Sequence, residues 1–393
     1  MIRVLMFGWE LPPTISGGLG TACYGLCKAL ALSKELSISF VLPREIMDEH
    51  ISFVKLISIP ACSSGTDSLP KPYGLNMLNA VQAYADRVET EINCLTPFDI
   101  IHVHDWLTLP AGLKAKSILR KPLVFHIHST EFDRALQPDP NIISIEREGV
   151  IKADLVVAVS EKTRNTLIKY YDVPENKVVV IHNGIDILKE KMLPKAEKKL
   201  ISFIGRITHQ KGPEYFLKAA AIAAKSLSGY RFVLAGDGDL FMDMQKLGDS
   251  LGIGHLLVFP GFLQGREISH LLARTAVYVM PSVSEPFGIG ALEAVAAEVP
   301  VIVSRQAGVV EVIKNISPVD YWDVNSIARE MVKLATDTAR SNEISAAAKK
   351  ELLGKGWETA ASLCQSAYIK ILDKVNVKNF PAIKLNFDVK NAA

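Results

Sequence analysis

A glycine-rich segment, Ser16-Gly17-Gly18-Leu19-Gly20, follows the first apolar run of the chain. Apolar residues then repeat at helical spacing as far as Leu30, so we expect Gly17 and Gly18 to open a helix. Glycine lets a backbone approach a ligand closely, and a helix N-terminus favours an anion such as phosphate. A tight turn with close packing is the alternative interpretation. The pattern GxGxxG is not met, because Cys23 stands at its third glycine, and no GxxxxGK[ST] loop exists, which disfavours dehydrogenases and P-loop proteins.

Two histidine pairs end predicted strands: His102 and His104, followed by Asp105, and His126 and His128. Residues two apart in a strand share a face, so both histidines of a pair lie on one side of the sheet. Such pairs can chelate a metal, but the patterns HxHxDH and HExxH are absent, and we expect no metal. We expect one histidine of each pair to face a cleft and the other to be structural. His104, Asp105 and His128 would then lie at the mouth of the sheet, suited to hydrogen-bonding a polyhydroxyl ligand.

Two cations, Arg206 and Lys211, stand in a loop bounded by Gly205 and Gly212, directly after a predicted strand. Arginine offers a planar fork of donors and lysine a point charge, so the two can clamp a diphosphate. A solvated surface loop is the alternative, but the position after a strand favours a binding role.

Two carboxylates flank the start of another predicted helix. Pro286 keeps Glu285 out of the helical region, so Glu285 lies in a loop, while Glu293 falls on the second turn of a helix that starts near Phe287 or Gly288. Eight helical residues rise about 12 Å, too far for a close acid–base pair but suited to holding two ends of one elongated ligand. The backbone amides that would point at an anion between them belong to Phe287, Gly288 and Ile289.

These segments are positioned by short aliphatic runs that alternate with amphipathic stretches of helix length. Runs such as Leu155–Val159 do not alternate with polar residues, which indicates strands covered on both faces, as in parallel sheets. The predicted strands are Arg3–Phe7, Ile38–Leu42, Asp99–His104, Leu123–His128, Leu155–Val159, Val178–His182, Leu200–Ile204, Arg231–Ala235, Leu257–Phe259, Val277–Met280 and Val301–Ser304. We therefore predict an α/β protein of two Rossmann-like doubly wound domains, with ligands at the carboxyl ends of the strands.

The domain boundary is predicted in Ile187–Lys199, a segment rich in lysine and glutamate that reads as a solvated connector. We place the first domain at residues 1–190 and the second at residues 191–355. Two such domains leave a cleft between them, where ligands bind.

The overall composition excludes several classes of protein. The 393 residues carry 44 Lys+Arg against 42 Asp+Glu, a formal charge of +2, so a chain built around a basic nucleic-acid face is excluded. The five cysteines form no CxxC pair, and their odd number favours a reducing compartment. The start of the chain lacks the pattern of a secretion signal, and no stretch reaches the roughly 20 apolar residues of a membrane span. We expect a cytoplasmic protein with no integral membrane span.

In order and spacing, these motifs resemble those of the GT-B retaining glycosyltransferases. The second half resembles the group 1 (family 4) enzymes, and the first half resembles the catalytic domain of glycogen and starch synthases. The motifs are GGLG, HVHDW, HIH, HNGID (His182 to Asp186), GRITHQKG, LAGDGDL (Leu234 to Leu240) and the E-x7-E arrangement of Glu285 and Glu293. Trp357 and Tyr368 resemble the closing helix of such enzymes, which we expect at residues 356–375, crossing back to the first domain before a tail at residues 376–393.

The resemblance implies a role for each matching residue. Arg206 and Lys211 would contact the donor diphosphate, with Gly17 and Gly18 bordering the phosphates. Glu285 would hold the transferred sugar and Glu293 the nucleotide ribose. His128 matches the histidine at the reacting centre, Asp105 the aspartate beside the acceptor or donor sugar, and Gly236 belongs to the nucleotide-binding motif. The resemblance implies no metal and no cofactor, with a nucleotide-diphosphate sugar as co-substrate.

One position departs from the pattern of bacterial glycogen synthases, which carry a lysine where this chain has Ile15. This departure speaks against ADP-glucose use and long-glucan synthesis, but not against sugar transfer. We favour a glucosyltransferase similar to glycogen and starch synthases, using ADP- or UDP-glucose and a glucan or other sugar acceptor. The alternatives are a family 4 enzyme of glycolipid, surface-polysaccharide or small-glycoside synthesis, a nucleotide-sugar epimerase and a non-catalytic sensor.

Overall fold

A computed structural model of the protein describes residues 1–15, 17–46, 51–61, 76–95, 97–186 and 197–379. The chain forms two lobes, each built on a parallel sheet. The strands are β1 (Ile2–Phe7), β2 (Leu36–Leu42), β3 (Lys55–Ser58), β4 (Ile100–His104), β5 (Leu123–Ile127), β6 (Leu155–Ala158), β7 (Val178–Val180), β8 (Leu200–Ile204), β9 (Arg231–Ala235), β10 (Leu257–Gly261), β11 (Thr275–Met280), β12 (Val301–Ser304) and β13 (Ser317–Val319). The helices are α1 (Gly18–Leu30), α2 (Met77–Glu91), α3 (Asp105–Leu119), α4 (Glu131–Arg134), α5 (Pro140–Lys152), α6 (Glu161–Tyr171), α7 (Pro213–Ala223), α8 (Phe241–Ser250), α9 (Arg266–Arg274), α10 (Ile289–Ala296), α11 (Val324–Thr336), α12 (Thr338–Glu351) and α13 (Trp357–Asn379).

Both sheets are doubly wound, and this confirms the predicted fold class. The first has the order β3-β2-β1-β4-β5-β6-β7 and the second β10-β9-β8-β11-β12-β13, with parallel pairing throughout. Strand order reverses between β1 and β4 and again between β8 and β11, and a crevice opens at the carboxyl ends of such strands. Gly17, Asp105, Arg206 and Glu285 all lie in segments that follow these four strands.

The sheets are buried on both faces, which explains why their strands lack polar alternation. In β1, Leu5 and Phe7 pack into one apolar cluster with residues of α2 and α3, while Val4 and Met6 pack into another with α1 and α13. The second lobe repeats this arrangement, since alternate residues of β11 enter two different clusters. Period-2 alternation therefore distributes apolar residues between two helix layers instead of between core and water.

The last helix, α13, follows the second lobe in sequence but completes the core of the first. Trp357 is buried against α1, where a Cβ atom on Gly25 would lie 2.2 Å from the indole Cε2, so that only glycine allows this approach. Farther along α13, the fully buried Tyr368 hydrogen-bonds His102 of β4. The helix thus ties the chain that leaves the second lobe to the first sheet.

Sequence reasoning missed the strands β3 and β13, both at a sheet edge. Each is short and only partly buried, so its apolar signal is weak. It also started α10 one or two residues early, because Gly288 has φ 109° and lies outside the helix. Residues 187–196 of the predicted connector lie outside the described residues, and residues 197–199 have no regular structure.

Three cysteines, Cys23, Cys27 and Cys364, are buried free thiols, while Cys62 lies outside the described residues. Among the helices that the structure describes, none combines the length and apolarity needed to cross a bilayer.

The packing of α13 predicts a large loss of stability in Trp357→Ala. Removing a buried indole leaves a cavity between α1 and α13, and we expect a loss of about 3–5 kcal/mol in the free energy of unfolding. Trp322→Ala, at a tryptophan that is 56% exposed, is the matched control and should change stability by less than about 1 kcal/mol. Urea unfolding measures both, and equal losses in the two variants would contradict the docking of α13.

Candidate active site

The centre of the site in the second lobe is an ion pair between Lys211 and Glu285. Lys211 lies on a short 3₁₀ turn after β8, and its Nζ donates to Glu285 Oε2 at 2.7 Å. Ser282 Oγ donates to the same carboxylate oxygen at 3.2 Å. The Glu285 side chain is 9% exposed and that of Lys211 20% exposed, so water screens the pair only in part. The loops after β8 and β11 thereby bring together two residues 74 positions apart.

Arg206, in the same loop as Lys211, lies across the crevice from the glycine segment of the first lobe. Its Nη2 donates to Gln210 Oε1 at 2.9 Å, which orients the guanidinium. The position that a Cβ atom would take on Gly17 lies 4.0 Å from Arg206 Cδ, and a Cβ on Gly18 would meet no atom of the described residues within 4 Å. Gly17 has an extended φ of 172°, a value open to any residue. Among the residues that the structure describes, neither backbone strain nor packing therefore explains these two glycines.

The first turn of α1 already holds one carboxylate. Glu10, which is buried, accepts a hydrogen bond from the Gly20 amide at 3.1 Å. A negative group is favourable at this position because the amides of a first helical turn have no partner within the helix.

Gly236, in contrast, has a clear packing role. It has φ 150°, and a Cβ atom there would lie 1.8 Å from the carbonyl oxygen of Gly205. The loops after β8 and β9 thus touch backbone to backbone, an approach that requires glycine.

Glu293 lies on the second turn of α10, as its spacing from Glu285 predicts. Burial raises the pKa of its carboxyl to about 7. Its Oε2 lies 4.0 Å from the position of a Cβ on Gly290, a position that is also 2.8 Å from the hydroxyl of the buried Tyr278. Because glycine has no Cβ atom, position 290 leaves the space beside the Tyr278 hydroxyl and Glu293 Oε2 free.

Asp105 is buried at the start of α3 with a strained backbone. Its φ is 54°, uncommon for a residue other than glycine. Oδ1 accepts from the amide of His128 at 2.6 Å and from that of Ser129 at 3.3 Å. Burial raises its pKa to about 7, although the nearby Arg134 and these two amides act in the opposite direction. Asp105 therefore holds the loop after β5 in place.

The four histidines form a stacked array. His102 stacks on His104, and His126 on His128, with ring centroids 4.5 Å and 4.4 Å apart. His104 Nδ1 and His128 Nε2 are hydrogen-bonded at 2.9 Å, and His102 Nε2 contacts His126 Nδ1 at 3.3 Å. Both members of each pair share one face, as predicted. Burial lowers the pKa of all four, that of His128 to about 3, so the rings are neutral at physiological pH.

The array differs from the sequence prediction in one respect. His104 and Asp105, which we expected at the mouth of the sheet, are 0% and 1% exposed, because they hydrogen-bond His128 and its neighbour from below. His128 is only partly buried, so it is the member of the array that borders the crevice.

Two groups in this array have ligating atoms within 4.8 Å of one another: His102, His104 and His126, and Cys23, His104 and His128. In the first group the rings are inclined by only 21–30°. Both nitrogens of His102 already have hydrogen-bonding partners, Nδ1 the Tyr368 hydroxyl and Nε2 the Nδ1 of His126. In the second group, a nitrogen of His104 is already hydrogen-bonded to His128. This geometry favours hydrogen bonding over tetrahedral chelation.

A hydrogen-bonded group that sequence reasoning missed joins the lobes beside Glu285. Ser284 Oγ donates to Asp133 Oδ1 at 2.7 Å and accepts from Lys162 Nζ at 2.7 Å. Burial lowers the pKa of Lys162, while at Asp133 the charge of Lys162 and several hydrogen bonds outweigh burial and lower the pKa. Lys162 follows β6 as Arg206 follows β8, so its position after a strand could have identified it.

Glu311, in the second lobe, makes another contact between the lobes. Its carboxylate accepts from the amides of Glu161 and Lys162, both at 2.9 Å, at the N-terminus of α6. His182 Nε2 lies 2.9 Å from the same carboxylate. The first turn of α6 is thereby capped by a side chain from the opposite lobe.

The structure thus brings several of the predicted residues into contact. Arg206, Lys211 and Glu285 form one group, Gly17 lies opposite Arg206, and the loop that starts at His128 leads to Asp133 beside Glu285. Glu293 and the α10 start, at Phe287 to Ile289, lie in the segment and helix that follow Glu285 along the chain. Gly236 instead packs against Gly205.

Two family models cover adjoining parts of the chain. Residues 16–188 match the model "Glycosyltransferase Family 4", and residues 184–351 match "Glycosyl transferases group 1". The two models overlap at residues 184–188.

Similar proteins of known sequence include several glycosyltransferases. An uncharacterised glycosyltransferase of Methanocaldococcus jannaschii is 31% identical, covering 93% of this chain and 98% of its own. A glycogen synthase of Mycobacterium tuberculosis is 24% identical over 94% of both chains. A D-inositol 3-phosphate glycosyltransferase of Thermobispora bispora is 28% identical over 71% of this chain and 72% of its own.

Solved structures share the GT-B fold. Sucrose-phosphate synthase from Thermosynechococcus elongatus superposes with a TM-score of 0.81, at 18% identity, over 95% of this chain and 100% of its own. Anabaena HepE, solved in complex with UDP and glucose, superposes with a TM-score of 0.74, at 18% identity, over 94% of this chain and 100% of its own. Because the M. jannaschii relative matches at 31% identity over nearly the whole of both chains, the protein belongs to the group 1 (family 4) glycosyltransferases.

Proposed function

We propose that this glycosyltransferase moves a glucosyl unit from a nucleoside diphosphate glucose to a hydroxyl of a glucan, with retention at the anomeric carbon. The observation that carries the proposal is the meeting of Arg206, Lys211 and Glu285 with Gly17 and the loop after His128 at one crevice between the lobes. A relative named glycogen synthase and a structural neighbour that holds UDP and glucose support the choice of a glucosyl donor.

In this proposal the second lobe binds the donor. Arg206 and Lys211 contact the diphosphate, and the first amides of α10, at Phe287, Gly288 and Ile289, add partial positive charge. Glu293 binds the ribose hydroxyls from the second turn of the same helix. Gly17 and Gly18 border the phosphates from the first lobe, where a side chain would narrow the approach.

Glu285 holds the transferred sugar at the reacting centre. Its contact with Lys211 keeps a carboxylate stable in a largely buried position, since an unpaired buried charge is unfavourable. His128, held neutral by burial, contacts the sugar as a hydrogen-bonding group instead of as a cation. Asp105 acts through the His128 amide and fixes the position of that residue.

Departure of a nucleoside diphosphate requires stabilisation of developing negative charge more than it requires a strong base. Fixed cations and helix amides supply that stabilisation in a partly dry crevice, where their effect is larger than in water. We therefore propose catalysis without a metal ion or cofactor.

The second candidate is a family 4 enzyme with a small acceptor, favoured by the relative named D-inositol 3-phosphate glycosyltransferase. It uses the same donor site, so the acceptor separates the two. A nucleotide-sugar epimerase, the third candidate, converts the donor without any acceptor.

The function is tested by incubating the protein with labelled ADP-glucose and UDP-glucose, with and without malto-oligosaccharides, in the presence of EDTA. We expect α-linked glucose on the acceptor by NMR and no loss of rate with the chelator. Transfer to inositol phosphates alone supports the second candidate, and a donor epimer without transfer supports the third. A rate abolished by EDTA and restored by a divalent ion would refute the metal-free mechanism.

Glu285→Ala should reduce kcat about 10²–10³-fold while changing donor affinity much less, because the carboxylate acts on the sugar in the transition state. Lys211→Ala should lower both kcat and the affinity for the donor. The matched control is Glu298→Ala, which removes a carboxylate that pairs with Lys349 on the surface of the same lobe. Steady-state kinetics and donor titration measure the two quantities, and an unchanged kcat in Glu285→Ala would refute its role.

The free energy of unfolding of Asp105→Asn, measured relative to that of the native protein, should increase as the pH rises. Asp105 has a pKa of about 7, against about 3.9 unfolded, so between these values the unfolded chain releases a proton that the folded protein keeps. The contribution of Asp105 to stability therefore falls from about pH 4 to pH 7 and then levels off, by at most about 1.4 kcal/mol per pH unit.

Urea unfolding at pH 5 and pH 8 measures this difference. Asp243→Asn, at an exposed aspartate of α8, serves as the control and should show the same small difference at both values. A stability gain in Asp105→Asn that is equal at pH 5 and pH 8 would show that this carboxyl titrates as an exposed one does.

A further inference from the structure

A groove of about 490 Å³ runs along the outer side of α6, and we call it the α6 groove. It is lined by Lys162, Asn165, Thr166, Lys169 and Tyr170 of the helix, with Glu311 from the second lobe. The groove therefore takes residues from both lobes.

The groove adjoins the hydrogen-bonded group beside Glu285 through Lys162. Lys162, at its inner end, donates to Ser284 Oγ, and Ser284 directly precedes Glu285. Lys162, Thr166 and Tyr170 follow one another at intervals of four residues, so they form one stripe along the helix. The stripe extends about 12 Å from Lys162 to Tyr170.

The buried face of α6 lies next to this stripe, about 100° away around the helix axis. Thr163, Leu167 and Tyr171 are buried and fix the helix against the first lobe. Apolar packing thus determines the rotation of α6, and the side chains at positions 162, 166 and 170 are left to line the groove.

Tyr170, at the outer end, presents an aromatic surface on a firm support. It is 42% exposed, and its ring stacks on Phe132 with centroids 4.8 Å apart and an inclination of 28°. Lys169 Nζ lies 4.8 Å from the same ring. Ring stacking limits the motion of Tyr170, so a ligand that contacts it need not order the side chain.

The side chains beside Tyr170 suit hydroxyl groups. The Asn165 amide offers donors and an acceptor, Thr166 a hydroxyl, and Lys169 an ammonium donor. A pyranose has an apolar C–H face that can lie on an aromatic ring and a rim of hydroxyls that such groups can hydrogen-bond. A groove with one aromatic surface among several polar groups fits this chemistry better than it fits an apolar peptide face.

We propose that the α6 groove binds the sugar units of an oligosaccharide acceptor that follow the reacting unit, with Tyr170 as the stacking surface for a unit away from the reacting centre. This assignment rests on the proposed transfer to a glucan. It adds a contact that only acceptors of several units can reach, because Tyr170 lies at the far end of the stripe.

The test compares maltose with maltoheptaose as acceptors for the native enzyme and for Tyr170→Ala. We expect KM for maltoheptaose to rise about fivefold, the scale of one aromatic stacking contact, with KM for maltose, kcat and donor KM unchanged. Tyr170→Phe, which keeps the ring, should behave as native. Trp322→Ala, at an exposed tryptophan of the second lobe, is the matched control.

A change in Tyr170→Ala that is equal for both acceptors, or no change for either, would overturn the assignment while the proposed function stands. Binding of maltoheptaose without donor, followed by NMR, separates the two proposals. Binding that weakens in Tyr170→Ala, with no transfer from any nucleotide sugar, supports the groove and refutes the transferase. Transfer to a small acceptor with no binding of maltoheptaose refutes the groove.

Discussion

The site depends on one hydrogen-bonded group that spans the lobes, the Ser284 hydroxyl between Asp133 and Lys162. Ser284 belongs to the second lobe and its two partners to the first. The next residue, Glu285, is held by Lys211. Separation of the lobes would remove the Ser284 hydroxyl from both partners, while Lys162 Nζ and Asp133 Oδ1, 3.6 Å apart in the first lobe, would keep their ion pair. The same contacts that join the lobes therefore position the candidate catalytic carboxylate.

Two further features hold the lobes together. Glu311 caps α6 from the opposite lobe, and α13 returns from the second lobe to complete the first core around Trp357 and Tyr368. One contact lies beside the crevice and the other behind the first sheet. Together they limit the relative positions that the lobes can take, and a transferase needs its donor and acceptor surfaces held in a defined geometry.

The ionisable groups of the two lobes differ in charge at the crevice. In the first lobe, burial favours the neutral form of five groups, since it lowers the pKa of the four histidines and raises that of Asp105, while Asp133 beside Lys162 has a lowered pKa. In the second lobe, Lys211 and Glu285 pair their charges, and Arg206 lies nearby. The charged side chains Arg206, Lys211 and Glu285 thus lie in the second lobe, and the neutral histidines lie in the first.

Much of this arrangement was predictable from local sequence. Aliphatic runs without polar alternation identified the buried strands, because a strand covered on both faces needs apolar residues at successive positions. The edge strands β3 and β13 escaped prediction because they are short and half-exposed. The glycine segment, the Arg206 loop and the pair Glu285 and Glu293 were identified because each follows a strand or opens a helix.

The sequence by itself determined the fold class, the family resemblance and the segments that carry chemistry, since all three depend on residue types at short spacing. Only the tertiary structure decided that His104 and Asp105 lie beneath His128, that Gly236 serves the packing of two loops, and that Asp133, Lys162 and Ser284 meet beside Glu285. These contacts join residues more than 20 positions apart. Such partners depend on how two sheets and a returning helix pack, and local spacing carries no information about that packing.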